Sequence, residues 1–241
     1  MSPYLAEFIG TCILVLLGDG VCANVNLKKT IGNNSGWIVI TMGWAMAVTI
    51  AVYLVNHISG AHLNPAVSIG LLVIGKMEAQ EAGMYIAAQM AGGIAGAVLV
   101  WLTYLPHWKE TTDPGAIRGS FCNSPAIPHP VSNLITEVIG TFVLMLGVLA
   151  VLAPGNLLPD TGLKEALSPA LVGVIVFSIG LSLGGPTGYA INPARDLGPR
   201  IAHAILPIAN KGDSGWNYSW IPVVGPIIGA VLAALTFNAL W

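Results

Sequence analysis

The chain has 241 residues, of which 55% are hydrophobic and only 8% charged, with a formal net charge of −2. Soluble domains carry about 25% charged residues, so this composition excludes a water-soluble protein and indicates a helical membrane protein. The near-neutral balance argues against a nucleic-acid partner. Cys12, Cys22 and Cys122 show no C-x-x-C spacing, so we expect no metal site, no disulfide framework and no cofactor.

Six apolar stretches are long enough, or nearly so, to cross a bilayer, which takes about 20 residues. They are residues 4–24, 37–57, 82–103, 133–153, 167–184 and 217–240. The first begins near Glu7 and has no basic leader, which favours a retained helix over a signal peptide. Asn64–Gly75 and Asn192–Leu206 are shorter. At about 1.5 Å per residue they reach only partway across the membrane, so they predict half-helices.

The two halves of the chain repeat one another. AEFIGTCILVLLG at 6–18 parallels TEVIGTFVLMLG at 136–147, and GGIAGAVL at 92–99 parallels GPIIGAVL at 225–232. Because each half has an odd number of spanning segments, the second must enter the membrane upside down relative to the first. We therefore predict a single transmembrane channel domain, 1–241. Its inverted halves are residues 1–103 and 133–241, joined by loop 104–132.

Asn-Pro-Ala occurs once in each half, at Asn64 and at Asn192. Asparagine is a favoured N-cap and proline, here Pro65 and Pro193, a favoured first helical residue. If each side-chain oxygen caps its own helix, the amide hydrogens point outward as donors to a passing solute. The two positive helix ends would also disfavour cations and protons. One such motif is usually an ordinary cap, but two at equivalent positions of an inverted repeat predict a pore centre.

The chain resembles the aquaporin, or major intrinsic protein, family over essentially its whole length. SGAHLNPA at 59–66 and GYAINPARD at 188–196 are the most specific motifs. The resemblance implies an all-α membrane protein in which six transmembrane helices and two re-entrant half-helices form an aquaporin-like bundle. It also implies a homotetramer with one pore per protomer, embedded in the lipid bilayer of the cell membrane, that acts as a passive channel and not as an enzyme.

In the family, the residues of the selectivity filter lie at fixed sequence distances from the two motifs. By this resemblance, the filter residues of this chain are Trp44, Gly180, Tyr189 and Arg195. The resemblance implies a different set in strict water channels, which have a histidine at the position of Gly180 and a small residue at the position of Tyr189. Here glycine leaves room, Trp44 and Tyr189 form an apolar corner for a carbon backbone, and Arg195 donates to hydroxyl groups. With Asp196 after the arginine, this set resembles the bacterial glycerol-facilitator, or aquaglyceroporin, branch.

Tyr189 departs from the phenylalanine most familiar in bacterial glycerol facilitators. Its hydroxyl either points into the lumen, where it could bind dihydroxyacetone or protonated lactic acid, or points into the protein. The expected solutes are therefore glycerol, water and other small neutral molecules, urea included, with ions and protons excluded.

The remaining candidates support the pore. We expect Glu7 and Glu137 to face inward and brace the re-entrant segments through backbone N–H groups. Asp196, in the first turn of the second half-helix, is favoured by the helix dipole and is expected to pair with Lys28 or Lys29. Backbone preceding each half-helix is expected to line the pore, because it is not helical and must be satisfied by protein or solute. The residues concerned are Gly60, Ala61, His62 and Ala190, and the His62 side chain is either pore-lining or packed.

The distribution of positive charge and the family resemblance predict opposite orientations of the chain in the membrane. One side of the membrane carries Lys28, Lys29, Lys109 and Arg118, and the other carries Lys76 and Lys164. The positive-inside rule therefore makes the first side cytoplasmic. The family resemblance implies the reverse, with both termini cytoplasmic, and we follow the family because the charges are few.

Two other classes compete with a passive channel. A secondary transporter also has inverted repeats and broken helices, but it would be expected to carry ionisable coupling residues at the midplane. An intramembrane enzyme is disfavoured because no Ser/His pair, His-Glu-x-x-His motif or paired aspartates lie within the spanning stretches.

Overall fold

The computed structural model describes residues 1–153, 156 and 162–241, without the side chain of Lys164. Within these residues, six helices are long and apolar enough to cross a membrane. They are α1 (Pro3–Asn26), α2 (Trp37–Ser59), α4 (Ala79–Thr103), α7 (Pro130–Leu152), α8 (Leu163–Leu183) and α10 (Ile221–Leu240). Two half-length helices, α3 (Pro65–Val73) and α9 (Pro193–Ile205), follow the second and fifth spanning helices. The predicted fold class is confirmed.

The segment predicted as loop 104–132 contains two short helices, α5 (Leu105–Glu110) and α6 (Pro114–Arg118). They are anchored by Trp108 and Phe121, which are both buried and lie with ring centroids 5.3 Å apart. This connection is therefore packed against the bundle, although its proline-rich sequence gave no helical period.

Equivalent helices pair within each half, α1 with α4 and α7 with α10. Glycines allow the close approach: a Cβ at Gly92 would be 3.1 Å from Thr11 Cβ, and one at Gly225 would be 2.6 Å from Glu137 Cβ. Small residues are the usual means by which membrane helices come together. Gly92 of α4 and Gly225 of α10 therefore lie where these helices pack closely against α1 and α7.

The half-helices join the two halves. α3 packs mainly against α10, and α9 mainly against α4. A Cβ at Gly93 of α4 would lie 2.6 Å from the Ala194 carbonyl oxygen, and one at Gly198 would lie 3.0 Å from the Gly93 carbonyl carbon. The close fit between α4 and α9 sets the position of the second half-helix, where the pore-facing residues lie.

Candidate functional site

The N-termini of the half-helices meet inside the bundle, and each is capped by its asparagine. Asn64 Oδ1 accepts the Ala66 N–H at 2.9 Å, and Asn192 Oδ1 accepts the Ala194 N–H at 2.9 Å. Both asparagines have extended backbone and are followed by a proline at the first helical position. The predicted caps are present in both halves.

The asparagine amides also connect the two half-helices. Asn64 Nδ2 donates to the Ile191 carbonyl at 2.8 Å, and Asn192 Nδ2 donates to the Leu63 carbonyl at 2.8 Å. Each amide has two N–H groups, so one is used in this crossed pair of bonds. Both asparagines line the central cavity, which leaves one N–H from each for a solute.

Glu7 braces the segment that leads into α3. Its Oε1 accepts the His62 N–H at 3.0 Å and its Oε2 accepts the Leu63 N–H at 2.7 Å. Ser59 Oγ and Gln89 Nε2 also donate to this carboxylate, at 2.6 and 2.8 Å. Because Glu7 is fully buried, these four donors compensate for its loss of water.

Glu137 does the same for the segment that leads into α9. Its two oxygens accept the N–H groups of Ala190 and Ile191 at 3.0 and 2.8 Å. Glu137 is 1% exposed, so it faces the bundle interior and not lipid. The bracing role predicted for both glutamates is what the geometry provides.

The segments whose N–H groups the glutamates hold also have an unusual backbone conformation. Four non-glycine residues have their backbone in the left-handed region, which is uncommon and strained. They are Ala61 and Leu63 before α3, with φ of 49° and 52°, and Tyr189 and Ile191 before α9, with φ of 44° and 45°. Five carbonyl oxygens accept no hydrogen bond from any residue that the structure describes, and all five residues line the cavity: Gly60, Ala61, His62, Tyr189 and Ala190.

The cavity has a volume of about 320 Å³ and two unlike walls. The carbonyl groups and asparagines form the polar wall. The apolar wall includes Leu14, Val48, Val52, Leu144, Val148 and Val176. His62 lines the cavity and is also packed, since its Nδ1 lies 3.0 Å from Ser68 Oγ and its ring centroid 5.0 Å from that of Tyr85.

Three of the four predicted filter residues lie together on this cavity. The Arg195 guanidinium carbon is 3.9 Å from the ring centroid of Trp44, a cation–π distance. Trp44 is held by its Nε1, which donates to Cys22 Sγ at 3.3 Å. Tyr189 packs edge-on against Trp37, with centroids 5.7 Å apart. An arginine donor and two aromatic rings therefore line one cavity.

Gly180 lies behind Tyr189 rather than on the cavity wall. A Cβ at Gly180 would be 2.8 Å from Tyr189 Cζ and 2.9 Å from Thr41 Cγ2. The room left by the glycine is thus filled by the phenol. The Tyr189 hydroxyl is buried and has no hydrogen-bond partner among the described residues. It points into the protein, so the lumen-facing alternative is wrong.

The predicted pairing of Asp196 with Lys28 or Lys29 is also wrong. Asp196 Oδ1 instead accepts from Arg200, at 3.0 Å from Nε and 2.8 Å from Nη2, with both side chains fully buried. Lys29 pairs with Glu110 at 2.6 Å, and this hydrogen-bonded ammonium lowers the pKa of the Glu110 carboxyl. An arginine one helical turn away is closer to Asp196 than any loop lysine.

Asp19 lies beside Arg195, and the sequence analysis missed it. It lies inside α1, is 1% exposed, and places Oδ1 3.9 Å from Nη1 of Arg195. An ionisable residue within a membrane span is itself a signal of function, and this signal was present in the sequence. In the part of the chain that the structure describes, no group of three or more His, Cys, Asp or Glu residues forms a metal site.

Spanning helices around two opposed half-helices, with a narrow polar constriction, define a membrane channel. The chain belongs to the major intrinsic protein family, whose sequence profile matches residues 1–237. It is therefore a multi-pass membrane channel protein and not an enzyme.

Named relatives cover nearly the whole chain. It is 59% identical over 241 residues to the probable glycerol uptake facilitator protein of Thermotoga maritima, with 100% of both chains covered. It is 38% identical over 238 residues to the D/L-lactic acid transporter of Lactiplantibacillus plantarum, covering 95% of this chain and 94% of that one. The aquaglyceroporin structure from Plasmodium falciparum superposes with a TM-score of 0.84 at 31% identity, covering 98% and 95% of the two chains.

Proposed function

We propose that this protein is a passive channel for glycerol and other small uncharged solutes, water included, and that it excludes ions and protons. The observation that carries the proposal is the constriction, where Arg195 lies 3.9 Å above the ring of Trp44 and Tyr189 lines the same cavity. A polyol needs both kinds of contact, an apolar surface for its C–H groups and donors for its hydroxyls. The name of the Thermotoga maritima relative supports glycerol as the solute.

Ion exclusion follows from the charges along the passage. The N-termini of α3 and α9, each the positive end of a helix dipole, face one another at the crossed asparagines. Arg195 adds a formal positive charge at the constriction. A cation or proton must pass both, whereas a neutral solute exchanges its water for the carbonyl groups and amides of the polar wall.

Dihydroxyacetone, urea and protonated lactic acid are further candidate solutes of similar size. The lactic acid transporter among the relatives supports the last of these. The lactate anion is excluded in our proposal, because losing hydration in a narrow, largely apolar passage is costly. Flux of lactic acid should therefore fall as pH rises past the pKa of the acid.

We also propose a homotetramer with one pore per protomer and with both termini cytoplasmic. The spanning helices expose large apolar side chains, among them Leu5, Met42, Tyr53, Ile139 and Leu232, which suits contact with lipid or with neighbouring protomers. Native mass spectrometry in detergent measures the assembly directly, and a monomer as the main species would contradict it.

Stopped-flow light scattering of proteoliposomes tests the function. Glycerol flux should exceed that of empty liposomes, stay proportional to the gradient at high concentration, and not respond to ionophores that collapse proton or sodium gradients. Saturating, gradient-coupled flux would instead identify a secondary transporter. Water flux and proton leak measured in the same vesicles test the remaining parts of the proposal.

A further inference from the structure

Asp19 is a buried acidic residue within a membrane-spanning helix. It lies in α1 between Gly18 and Gly20 and is 1% exposed. An aspartate in this position is costly, and such residues are rare unless they pair or act on a transport pathway. Asp19 does not line the cavity itself, so any effect on solutes must act through a neighbour.

That neighbour is Arg195. Asp19 Oδ1 is 3.9 Å from Arg195 Nη1, and the side-chain exposures are 1% and 8%. The other carboxylate oxygen, Oδ2, is buried with no hydrogen-bond partner in the described part of the chain. Arg195 is therefore a cation 3.9 Å from a carboxylate whose Oδ2 has no described donor.

Asp196, the acidic residue next to Arg195 on α9, cannot be the counter-ion of Arg195. Both oxygens of Asp196 are occupied, by the guanidinium of Arg200 at 2.8 Å and by the Asn123 N–H at 2.7 Å. Asp19 is thus the carboxylate that pairs with Arg195, and of the two residues only Arg195 lines the cavity.

A paired arginine and a lone arginine treat anions differently. In a site of low dielectric, an uncompensated guanidinium attracts a small anion strongly. A counter-ion 3.9 Å away turns that field into a dipole field that falls off faster with distance. Arg195 itself lines the cavity, and its hydrogen bonding to a neutral hydroxyl depends much less on the pairing.

We propose that Asp19 is the counter-ion of the pore arginine and a specificity-determining residue that keeps small anions, such as carboxylates and nitrate, out of the constriction. The inference rests on the proposed neutral-solute channel and assigns to Asp19 the exclusion of anions, while Arg195 in turn neutralises Asp19 and so keeps this carboxylate from attracting cations. Asp19 is a positioning and charge-balancing residue, since it does not contact the solute.

Asp19→Asn tests this with little change in shape. In proteoliposomes with a potassium diffusion potential set by valinomycin, we expect nitrate and formate permeability to rise by about tenfold or more. Sodium formate should also inhibit glycerol flux in this variant and not in the wild type. Glu110→Gln is the matched control, because it removes the same charge from a surface pair with Lys29, and its anion permeability should equal that of the wild type.

A second comparison makes the test specific to the pair. In the Arg195→Val background, Asp19→Asn should no longer raise anion permeability, because no unpaired cation remains. It should instead lower the cation leak several-fold relative to Arg195→Val alone, in which Asp19 is an unpaired negative charge. This comparison decides the matter even if the single Asp19→Asn variant does not assemble.

The inference is overturned if Asp19→Asn leaves anion permeability at the wild-type value, or if its effect persists without Arg195. Failure of the proposed function looks different, because wild-type vesicles would then conduct no glycerol above the background of empty liposomes. A purely structural role for Asp19 would lower all fluxes together and leave the ratio of anion to glycerol permeability unchanged.

Discussion

Tyr189 and Gly180 act as a pair at the constriction. The ring of Tyr189 occupies the room above Gly180, where a Cβ would be 2.8 Å from its Cζ. The ring face then contributes to the apolar wall, while the hydroxyl is buried without a partner. We therefore expect the ring, and not the hydroxyl, to contact the solute, and we expect the unpaired hydroxyl to cost stability.

We expect Tyr189→Phe to keep the glycerol flux and the ratio of dihydroxyacetone to glycerol flux unchanged. Removing a buried, unpaired hydroxyl should also raise stability by about 1 kcal/mol or leave it unchanged. Flux assays and thermal unfolding in detergent measure both effects. Tyr85→Phe is the matched control, because its hydroxyl donates to the Ser59 carbonyl at 2.9 Å and its loss should be destabilising. A lower dihydroxyacetone ratio in Tyr189→Phe would place the hydroxyl in the lumen.

Gly180→His should displace Tyr189 toward the cavity, because the new side chain needs the space that the phenol occupies. We expect glycerol flux to fall at least about tenfold and water flux to fall much less, since a narrowed passage discriminates by solute diameter. Gly83→His is the control, because no atom lies within 4 Å of a Cβ at Gly83. The double variant Gly180→His, Tyr189→Ala should recover water flux. Equal losses of glycerol and water in the single variant would remove Gly180 from the filter.

At the level of elements, the sequence predicted the six spans and both half-helices, since length, hydrophobicity and Asn-Pro caps determine them locally. It did not predict α5 and α6, because their helicity depends on packing of Trp108 and Phe121 against the bundle. The Asp19–Arg195 pair joins distant parts of the chain, and no local pattern reports such a contact.

The Asp196–Arg200 pair is a different case. Its i, i+4 spacing on α9 was visible in the sequence and favours a helical ion pair. In the structure this pair also ties α9 to the loops on its side of the membrane. Arg200 donates to the carbonyls of Ser214 and Gly215 at 2.7 and 3.0 Å and to that of Asn123 at 2.8 Å. One arginine thus joins a half-helix to two connections.

Asp196→Asn should lower the stability of the protein by about 3–5 kcal/mol, because it leaves the buried guanidinium of Arg200 without its carboxylate. Thermal unfolding of the detergent-solubilised protein measures this. Reaction of Lys28 and Lys29 with an amine label should be unchanged, since neither contacts Asp196. Glu110→Gln should have little effect on stability, because its pair with Lys29 is exposed to solvent. Wild-type stability of Asp196→Asn would contradict the role assigned to this pair.

For the whole molecule, the pore centre requires both halves. α3 packs mainly on α10 and α9 mainly on α4, and the crossed bonds from Asn64 to Ile191 and from Asn192 to Leu63 join the two half-helices directly. Neither half alone contains the carbonyl group that accepts a hydrogen bond from its own asparagine amide. The repeat therefore builds one site from two sequences far apart in the chain.

Two of the four cations that create the conflict over orientation form ion pairs in the structure. Lys29 pairs with Glu110 and Arg118 with Asp213. Lys211, in the connection that follows α9, donates to three carbonyls near the end of that helix, at 2.7 to 2.8 Å. Lys29, Arg118 and Lys211 therefore have structural contacts on this side of the bundle, and these contacts explain their positions without any role in membrane insertion.

We therefore expect the side that carries Lys28 and Lys29 to be extracellular, with both termini in the cytoplasm. Labelling with a membrane-impermeant maleimide tests this cleanly, because the native cysteines are all buried and should give little background. Ser35→Cys and Glu78→Cys introduce thiols at exposed positions on opposite sides. Ser35→Cys should react in intact cells, and Glu78→Cys only after permeabilisation. The reverse pattern would mean that the positive-inside rule had given the right orientation and that the termini face outward.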